Sequence, residues 1–216
     1  GRKMRDFPVF DTETGVSSLV LKEVPYRGAA YIHVRDVEPD GLEAHLRECV
    51  GFCRAVGAER VFAAGHEGLE GYPLYTAVVE MTGRPGFEEG KLASLFPVTE
   101  QTVSRWRELY NQRMADVDNA GTLEARQEKE ILSGGTYFVH ENGELLGIGW
   151  LEEGLLRAVA SVKPGAGERV ARTLLSACPG ETLRLEVAST NEKALRLYAK
   201  LGFLPTKEII RWYRVG

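Results

Sequence analysis

Three segments in the last third of the chain decide how it is read: Ser161-Val-Lys-Pro-Gly-Ala-Gly-Glu-Arg-Val-Ala-Arg-Thr-Leu-Leu175, Leu183-Arg-Leu-Glu-Val-Ala-Ser-Thr-Asn191 and Ala194-Leu-Arg-Leu-Tyr-Ala-Lys-Leu-Gly-Phe203. In the first, an apolar strand from Leu155 to Val162 runs through Pro164-Gly-Ala-Gly167 directly into a helix. Such a turn leaves the first backbone N–H groups of the helix without intrahelical partners and aimed outward, where they suit a pyrophosphate. Many folds use that arrangement, so the turn alone is equally a plain strand–helix connection. In the second segment Leu183, Leu185 and Val187 alternate along a strand that ends near Asn191. In the third, a short helix from Lys193 to Leu201 carries Ala194, Leu197, Tyr198 and Leu201 on one side.

Upstream, Thr136-Tyr-Phe-Val-His140 and Leu145-Leu-Gly-Ile-Gly-Trp-Leu151 flank Glu141-Asn-Gly-Glu144. Asn-Gly between two apolar runs predicts a tight hairpin. Glu152-Glu-Gly154 then turns into the strand at 155–162. Before this meander, Thr99 is expected to cap a helix in which Val103, Trp106, Leu109 and Tyr110 share a face, and Thr122 to cap a second helix reaching Leu132. Ser133-Gly-Gly135 stops it, and a strand from about Glu208 to Val215 closes the chain.

Two helices, a three-strand meander, a helix, a strand, a helix and a last strand, read with the quoted segments, resemble the acetyl-CoA-binding part of the GNAT superfamily of N-acetyltransferases. The resemblance covers about 95–216. It implies an α/β protein with the GNAT acyl-CoA N-acyltransferase fold, a mixed central sheet flanked by helices. It also implies an acetyl-CoA-dependent N-acetyltransferase in which a primary amine attacks the thioester directly. The family's phosphate loop reads Arg or Gln, then Gly-x-Gly-x-Gly/Ala. Counted back from Leu174-Leu175, it falls on Ala166 to Ala171, with Gly167 at the first glycine, Arg169 at the second and Ala171 at the last small position. Arg169 carries bulk where the family has none, and either donates to a phosphate or crowds the loop.

By the same resemblance the cofactor contacts are Gly165, Ala166, Gly167, Glu168, Arg169, Val170 and Ala171 in the loop and helix start. Ala160 and Val162 pair through their backbone with the pantetheine amides, as though the cofactor were an added strand. Asn191 holds the cofactor arm where two strands splay apart, and Tyr198 faces the sulfur. The chemistry calls for such a phenol, because the departing thiolate gains charge that a positioned acid can neutralise. A tyrosine on an apolar helix face is otherwise simply core with its hydroxyl at the rim. For a general base the strand at 155–162 offers no carboxylate. Glu186 on the neighbouring strand is the candidate, with Glu152 and Glu153 at a hairpin end; all three read equally as surface acids, with water relaying the proton. His140 reads as structural. The competing function is a non-catalytic acyl-CoA-binding or sensor module.

The N-terminal part, residues 1–90, reads as a smaller α/β region, and 91–216 as the GNAT domain, with Arg84-Pro-Gly-Phe-Glu-Glu-Gly90 as linker. Ala29–Val34, Glu59–Ala64 and Leu74–Met81 read as strands. Asp40 and Glu43 have capping-box spacing before a helix reaching Val56 and ended by Gly57. This block has the shape of a degenerate GNAT-like repeat without a cofactor signature, and it shields the core or forms an oligomer contact. Cys49 and Cys53 line up with Leu42, Leu46 and Val56 as small core residues, Cys178 packs at a helix end, and no metal-type spacing occurs.

A net charge of −4 gives no broad basic field and counts against nucleic acid or an anionic membrane as the main partner. No apolar run approaches the roughly 18 residues of a span, and the start Gly1-Arg-Lys-Met lacks a signal-peptide core, so the expected compartment is the cytoplasm. The expected partners are acetyl-CoA and an amine acceptor, with a homo-oligomer left open. Acceptor choice lies in loops with no transferable motif.

Overall fold

The computed structural model describes residues 7–85 and 92–216. By packing, the chain forms two compact units, Gly1–Val78 with Glu208–Gly216, and Val79–Lys207. The expected division at 90/91 and most of the expected linker fall outside the described residues.

In the first unit the elements are β1 (Val9–Asp11), β2 (Gly15–Val20), α1 (Val24–Arg27), β3 (Ala29–Val37), α2 (Leu42–Ala55), β4 (Arg60–Ala64), a 3₁₀ turn (Glu67–Gly71) and the start of β5 (Leu74–Gly83). β1, β2 and β3 form an antiparallel meander. α2 then crosses over so that β4 lies parallel to β3, in register from Ala29↔Arg60 to His33↔Ala64. Ile32, Val34, Leu46, Val61, Ala63 and Leu69 form the core with Cys49 and Cys53, as expected of those cysteines. Burial pushes both thiols up to about 11, which keeps them protonated. His45 is buried beside them, 2.7 Å from Thr12 Oγ1 and 2.6 Å from Ser17 Oγ.

The start of α2 corrects an expectation. Asp40 is left-handed (φ 63°) and Gly41 takes the N-cap position, so the Asp40 side chain does not cap the helix. A β carbon at Gly41 would lie 2.9 Å from the Thr14 side chain, so only glycine fits that close approach. Neither β1 nor β2 was foreseen. Ser17 and Ser18 break the apolar run of β2, yet both are fully buried, each through a hydrogen-bonding partner, His45 for one and Arg35 for the other.

The second unit contains β6 (Ser94–Pro97), α3 (Val103–Met114), α4 (Glu128–Ile131), β7 (Thr136–Glu141), β8 (Glu144–Glu152), β9 (Leu155–Ser161), α5 (Gly167–Leu175), β10 (Leu183–Ala188), α6 (Glu192–Lys200) and the start of β11 (Leu204–Arg214). β6 to β9 are antiparallel neighbours and β10 runs parallel to β9. Asn142 (φ 52°) and Gly143 (φ 77°) make the expected tight hairpin between β7 and β8. α3 covers one face, where Trp106 stands edge-on to Trp150 and donates to Tyr137 O at 3.0 Å. α5 covers the other, packed into Leu156, Leu183, Leu185 and Phe203.

Helix starts in this unit also depart from the reading. Thr99 opens a turn whose carbonyl accepts from Val103 N–H, and α3 begins only there, without a side-chain cap. After Thr122 the chain stays irregular to Glu124. Glu124 and Gln127 then form a reciprocal capping box on a 3₁₀ turn that leads into the four-residue α4. Leu123 is held away from helix by Asn111, which bonds both its N–H and its C=O at 2.8 Å. β11 begins at Leu204, earlier than expected.

Candidate functional site

β9 and β10 run parallel, but their ladder holds only at Leu155↔Arg184, with Arg184 N–H donating to Gly154 O at 3.0 Å. Beyond that pair the strands part, while the other edge of β9 stays zipped to β8 as far as Ser161↔Gly147. The edge of β9 facing β10 is therefore open strand backbone at Val159 and Ser161, whose groups alternate with those that face β8. Ala160, opposite Ile148, and Val162 both turn their backbone to β8, so the cofactor pairing expected of these two falls instead on Val159 and Ser161. The Val162 N–H donates to Leu146 O at 2.8 Å, so Val162 has no amide hydrogen left for an added strand.

The chain leaves β9 through a turn closed by Ala166 N–H on Lys163 O at 3.2 Å, with Gly165 at φ 81°. The first α5 bond runs from Val170 N–H to Ala166 O, so the N–H groups of Gly167 and Glu168 precede the helical ladder. A β carbon built at Gly165 or Gly167 meets nothing within 4 Å, which shows open space over the loop. Val170 and Ala171 are fully buried beneath it and anchor the helix start.

Arg169 does neither of the two things its sequence position offered. Its guanidinium turns to the carboxylate of Glu141 at the end of β7, with Nε at 3.0 Å and Nη2 on the same oxygen. The loop is left uncrowded, and the cation is neutralised rather than presented to a ligand. Glu168 likewise holds Lys200 at 2.9 Å and Arg172 at 3.0 Å, and these two cations keep its carboxyl below the usual range. Lys163 pairs with Glu144 at 3.0 Å.

Asn191 is the N-cap of α6, its Oδ1 accepting from Ala194 N–H at 3.2 Å, which leaves its amide NH₂ as the outward group. Ala194, Leu197 and Tyr198 pack on the side of β10 that carries Leu183, Leu185 and Val187. The Tyr198 ring stands edge-on to Phe203 at 6.0 Å. Its hydroxyl has no hydrogen-bond partner among the described residues, and burial pushes it up to about 12. Glu186 is exposed and alternates with those apolar residues, so it projects from the opposite face of β10. Glu152 is tied to Arg157 at 2.6 Å and Glu153 is exposed.

Two participants had no sequence signal. Glu141 belongs to a hairpin whose turn explained it fully. Asp118 lies in a polar loop, yet accepts a hydrogen bond from Thr190 Oγ1 at 2.6 Å beside the α6 cap. Among the described residues no group of three or more His, Cys, Asp or Glu side chains is placed to hold a metal.

No family model matches the chain, and no curated protein matches it. Solved structures do. The chain is similar to a GCN5-related N-acetyltransferase from Sphaerobacter thermophilus at 12% identity and a TM-score of 0.58, over 93% of this chain and 76% of that one. It is similar to a GCN5-related N-acetyltransferase from Kribbella flavida at 14% identity and a TM-score of 0.56, over 99% and 91%. It is also similar to a tandem GNAT protein from the clavulanic acid biosynthesis pathway at 16% identity and a TM-score of 0.51, over 94% and 79%. At these identities the likeness is one of fold, and it agrees with the order of elements and the parted strands described above: the chain has the GNAT fold.

Proposed function

We propose that the chain is an acetyl-CoA-dependent N-acetyltransferase acting on a primary amine, with the site in the second unit. One observation carries the reading: the parting of β9 from β10 immediately before an open, glycine-lined helix N-terminus. An acyl-CoA needs an unpaired strand edge for its pantetheine amides and an N–H cluster for its pyrophosphate, and these residues supply both. Val159 and Ser161 offer strand backbone, Gly165 to Ala171 offer the helix start, and the Asn191 amide stands where the strands separate. Arg169 shapes the loop by holding Glu141 instead of binding phosphate.

The transfer follows from these placements. The amine nitrogen forms a bond to the thioester carbonyl carbon, the C–S bond breaks, and its electron pair stays on sulfur. Tyr198, protonated throughout the working pH range, gives its proton to that sulfur. The ammonium proton leaves through Glu186 or water on the opposite face of β10, so acid and base approach the opening from two sides. The acceptor is an amine that reaches that opening. The cytoplasm, where acetyl-CoA is made and used, is the proposed compartment, and no helix among the described residues is long and apolar enough to cross a membrane. A sensor without turnover is the competing reading, favoured by the exposure of Glu186.

Titration with acetyl-CoA tests the first half. At a hundredfold excess over Kd the ligand adds about 2.7 kcal/mol to the folded state, which for a chain of this size raises Tm by roughly 5–10 °C. An unchanged Tm at millimolar acetyl-CoA refutes the cofactor assignment. Thiol release with a panel of amines tests the second half, and binding without release with any amine supports the sensor.

A further inference from the structure

We infer that the two units are copies of one structural repeat that trade their last strands, and that only the second copy has room for an acyl-CoA, so each chain binds one. The site count rests on the acyl-CoA reading above, while the repeat rests on register. In the first unit Gly28, left-handed at φ 64°, precedes β3; its carbonyl accepts from Arg60 N–H at 2.9 Å, and the parallel ladder starts at Ala29↔Arg60. In the second, Gly154, left-handed at φ 71°, precedes β9; its carbonyl accepts from Arg184 N–H at 3.0 Å, and the ladder starts at Leu155↔Arg184. Around this shared start, β2 and β8 are the preceding antiparallel neighbours, and α2 and α5 are the crossover helices. The residue that follows each parallel pair caps the next helical turn by its side chain: His66 accepts from Gly68 N–H at 2.9 Å, and Asn191 accepts from Ala194 N–H at 3.2 Å. A long strand follows in both, β5 after the first and β11 after the second.

Those last strands are where the copies trade. β5 passes into the second unit from Val79 on, where it neighbours β10, and the end of β11 from Glu208 on belongs to the first unit, antiparallel to β4 at Ala63↔Tyr213. The first copy thereby furnishes part of the second copy's core. Met81 is 2% exposed among Leu183, Leu185 and Phe203, and a β carbon at Gly83 would lie 2.8 Å from the Phe203 ring, which stands edge-on to Tyr198.

The copies differ wherever a cofactor would enter. β3 and β4 stay paired from Ala29↔Arg60 to His33↔Ala64, so the backbone that β9 leaves open is consumed in β3. The turn before α2 carries Glu38 and Asp40 around a packed Gly41, whereas the turn before α5 has open space at Gly165 and Gly167 and no carboxylate ahead of its first helical residue. Carboxylates at a helix start compete with a phosphate for the same N–H groups and repel it. The turn Glu67–Gly71, closed by Tyr72, stands where α6 stands. Closure and acidity point the same way.

Calorimetry with acetyl-CoA on the full chain, combined with hydrogen exchange, tests the inference. The expected stoichiometry is about one per chain, with slowed exchange in 155–162 and no change in 29–37. Gly167→Asp, which places a carboxylate in open space at the α5 start, is expected to abolish all saturable binding. Two acetyl-CoA per chain, binding that survives Gly167→Asp, or new protection in 29–37 overturns the inference and leaves the acyl-CoA reading standing. No binding by the parent chain overturns both.

Discussion

Gly149→Ala tests how closely α5 is seated on β8. A β carbon at Gly149 would lie 2.3 Å from Leu174 Cδ2 and 2.8 Å from Leu174 Cδ1. Ordinary carbon contacts need about 3.5–4.0 Å, so either Leu174 leaves its rotamer or the helix retreats by about 1 Å. Leu174 is fully buried and has nowhere to turn. Overpacking of this kind costs roughly 1–3 kcal/mol, offset by ~0.5–1 kcal/mol because alanine loses less backbone entropy than glycine on folding. The net loss of about 1–2 kcal/mol lowers Tm by roughly 2–8 °C in a chain of this size.

Because the N–H groups proposed for the pyrophosphate are fixed to the same helix, acetyl-CoA affinity should fall along with stability. Melting curves with and without acetyl-CoA read both. Gly51→Ala is the matched control: it lies exposed within α2, a β carbon there meets nothing within 4 Å, and the change should stabilise by ~0.5–1 kcal/mol. If Gly149→Ala melts at or above the parent temperature and binds acetyl-CoA unchanged, α5 does not sit on the β8 glycines and the loop geometry argued from that seat is wrong.

Tyr198→Phe keeps the ring packing on Phe203 and removes the proton, so acetyl-CoA affinity should hold while kcat drops by ~10²–10⁴-fold, less if water substitutes; an active enzyme with undiminished kcat makes Tyr198 a core residue. Burial lowers the pKa of His45, and burial with help from Arg35 lowers that of His33, so the unfolded chain binds protons that the folded chain refuses. Stability should therefore be full above the unfolded value of about 6.5 and fall as pH drops below it; urea midpoints from pH 8 to 5 check this, and a slope unaltered in His45→Gln removes His45 as a cause. A chain starting at residue 91 lacks Met81 and Gly83 and should be insoluble or clearly less stable, and undiminished stability and activity would show that β5 is dispensable to the second unit.

Much of the fold was legible because local signals and tertiary packing agreed. Asn142-Gly143 specified its hairpin, alternation marked β7 to β10, and one-sided apolar spacing marked α5 and α6. The misreadings fall where a distant partner decides the backbone. Thr122 looks like a helix cap until Asn111, on another element, captures both backbone groups of Leu123 and delays the turn to Glu124. Asp40 looks like a cap until Thr14 closes on Gly41 and the cap position moves one residue on. β2 hides its core face behind Ser17 and Ser18, whose hydroxyls are acceptable inside only because His45 and Arg35 meet them.

The candidate site was legible in its parts and hidden in its geometry for the same reason. Gly165, Gly167, Asn191 and Tyr198 announce a helix start, a cap and a phenol, but nothing in the sequence says whether two parallel strands stay paired, since Leu155 and Arg184 begin the same ladder that Ala29 and Arg60 begin. Arg169 shows how a departure from a motif is resolved by a residue outside it. Read alone it implies a crowded loop or a phosphate ligand; with Glu141 at the end of β7 it becomes an internal ion pair that draws the long side chain off the loop. The pair also gives Arg169 a use that a glycine lacks, tying the start of α5 to the β7–β8 hairpin. Half-exposed on both sides, such a pair contributes little stability, on the order of 0–1 kcal/mol. Its effect is therefore expected in where α5 begins, and so in the placement of the N–H groups at Gly167 and Glu168, more than in how firmly the protein folds.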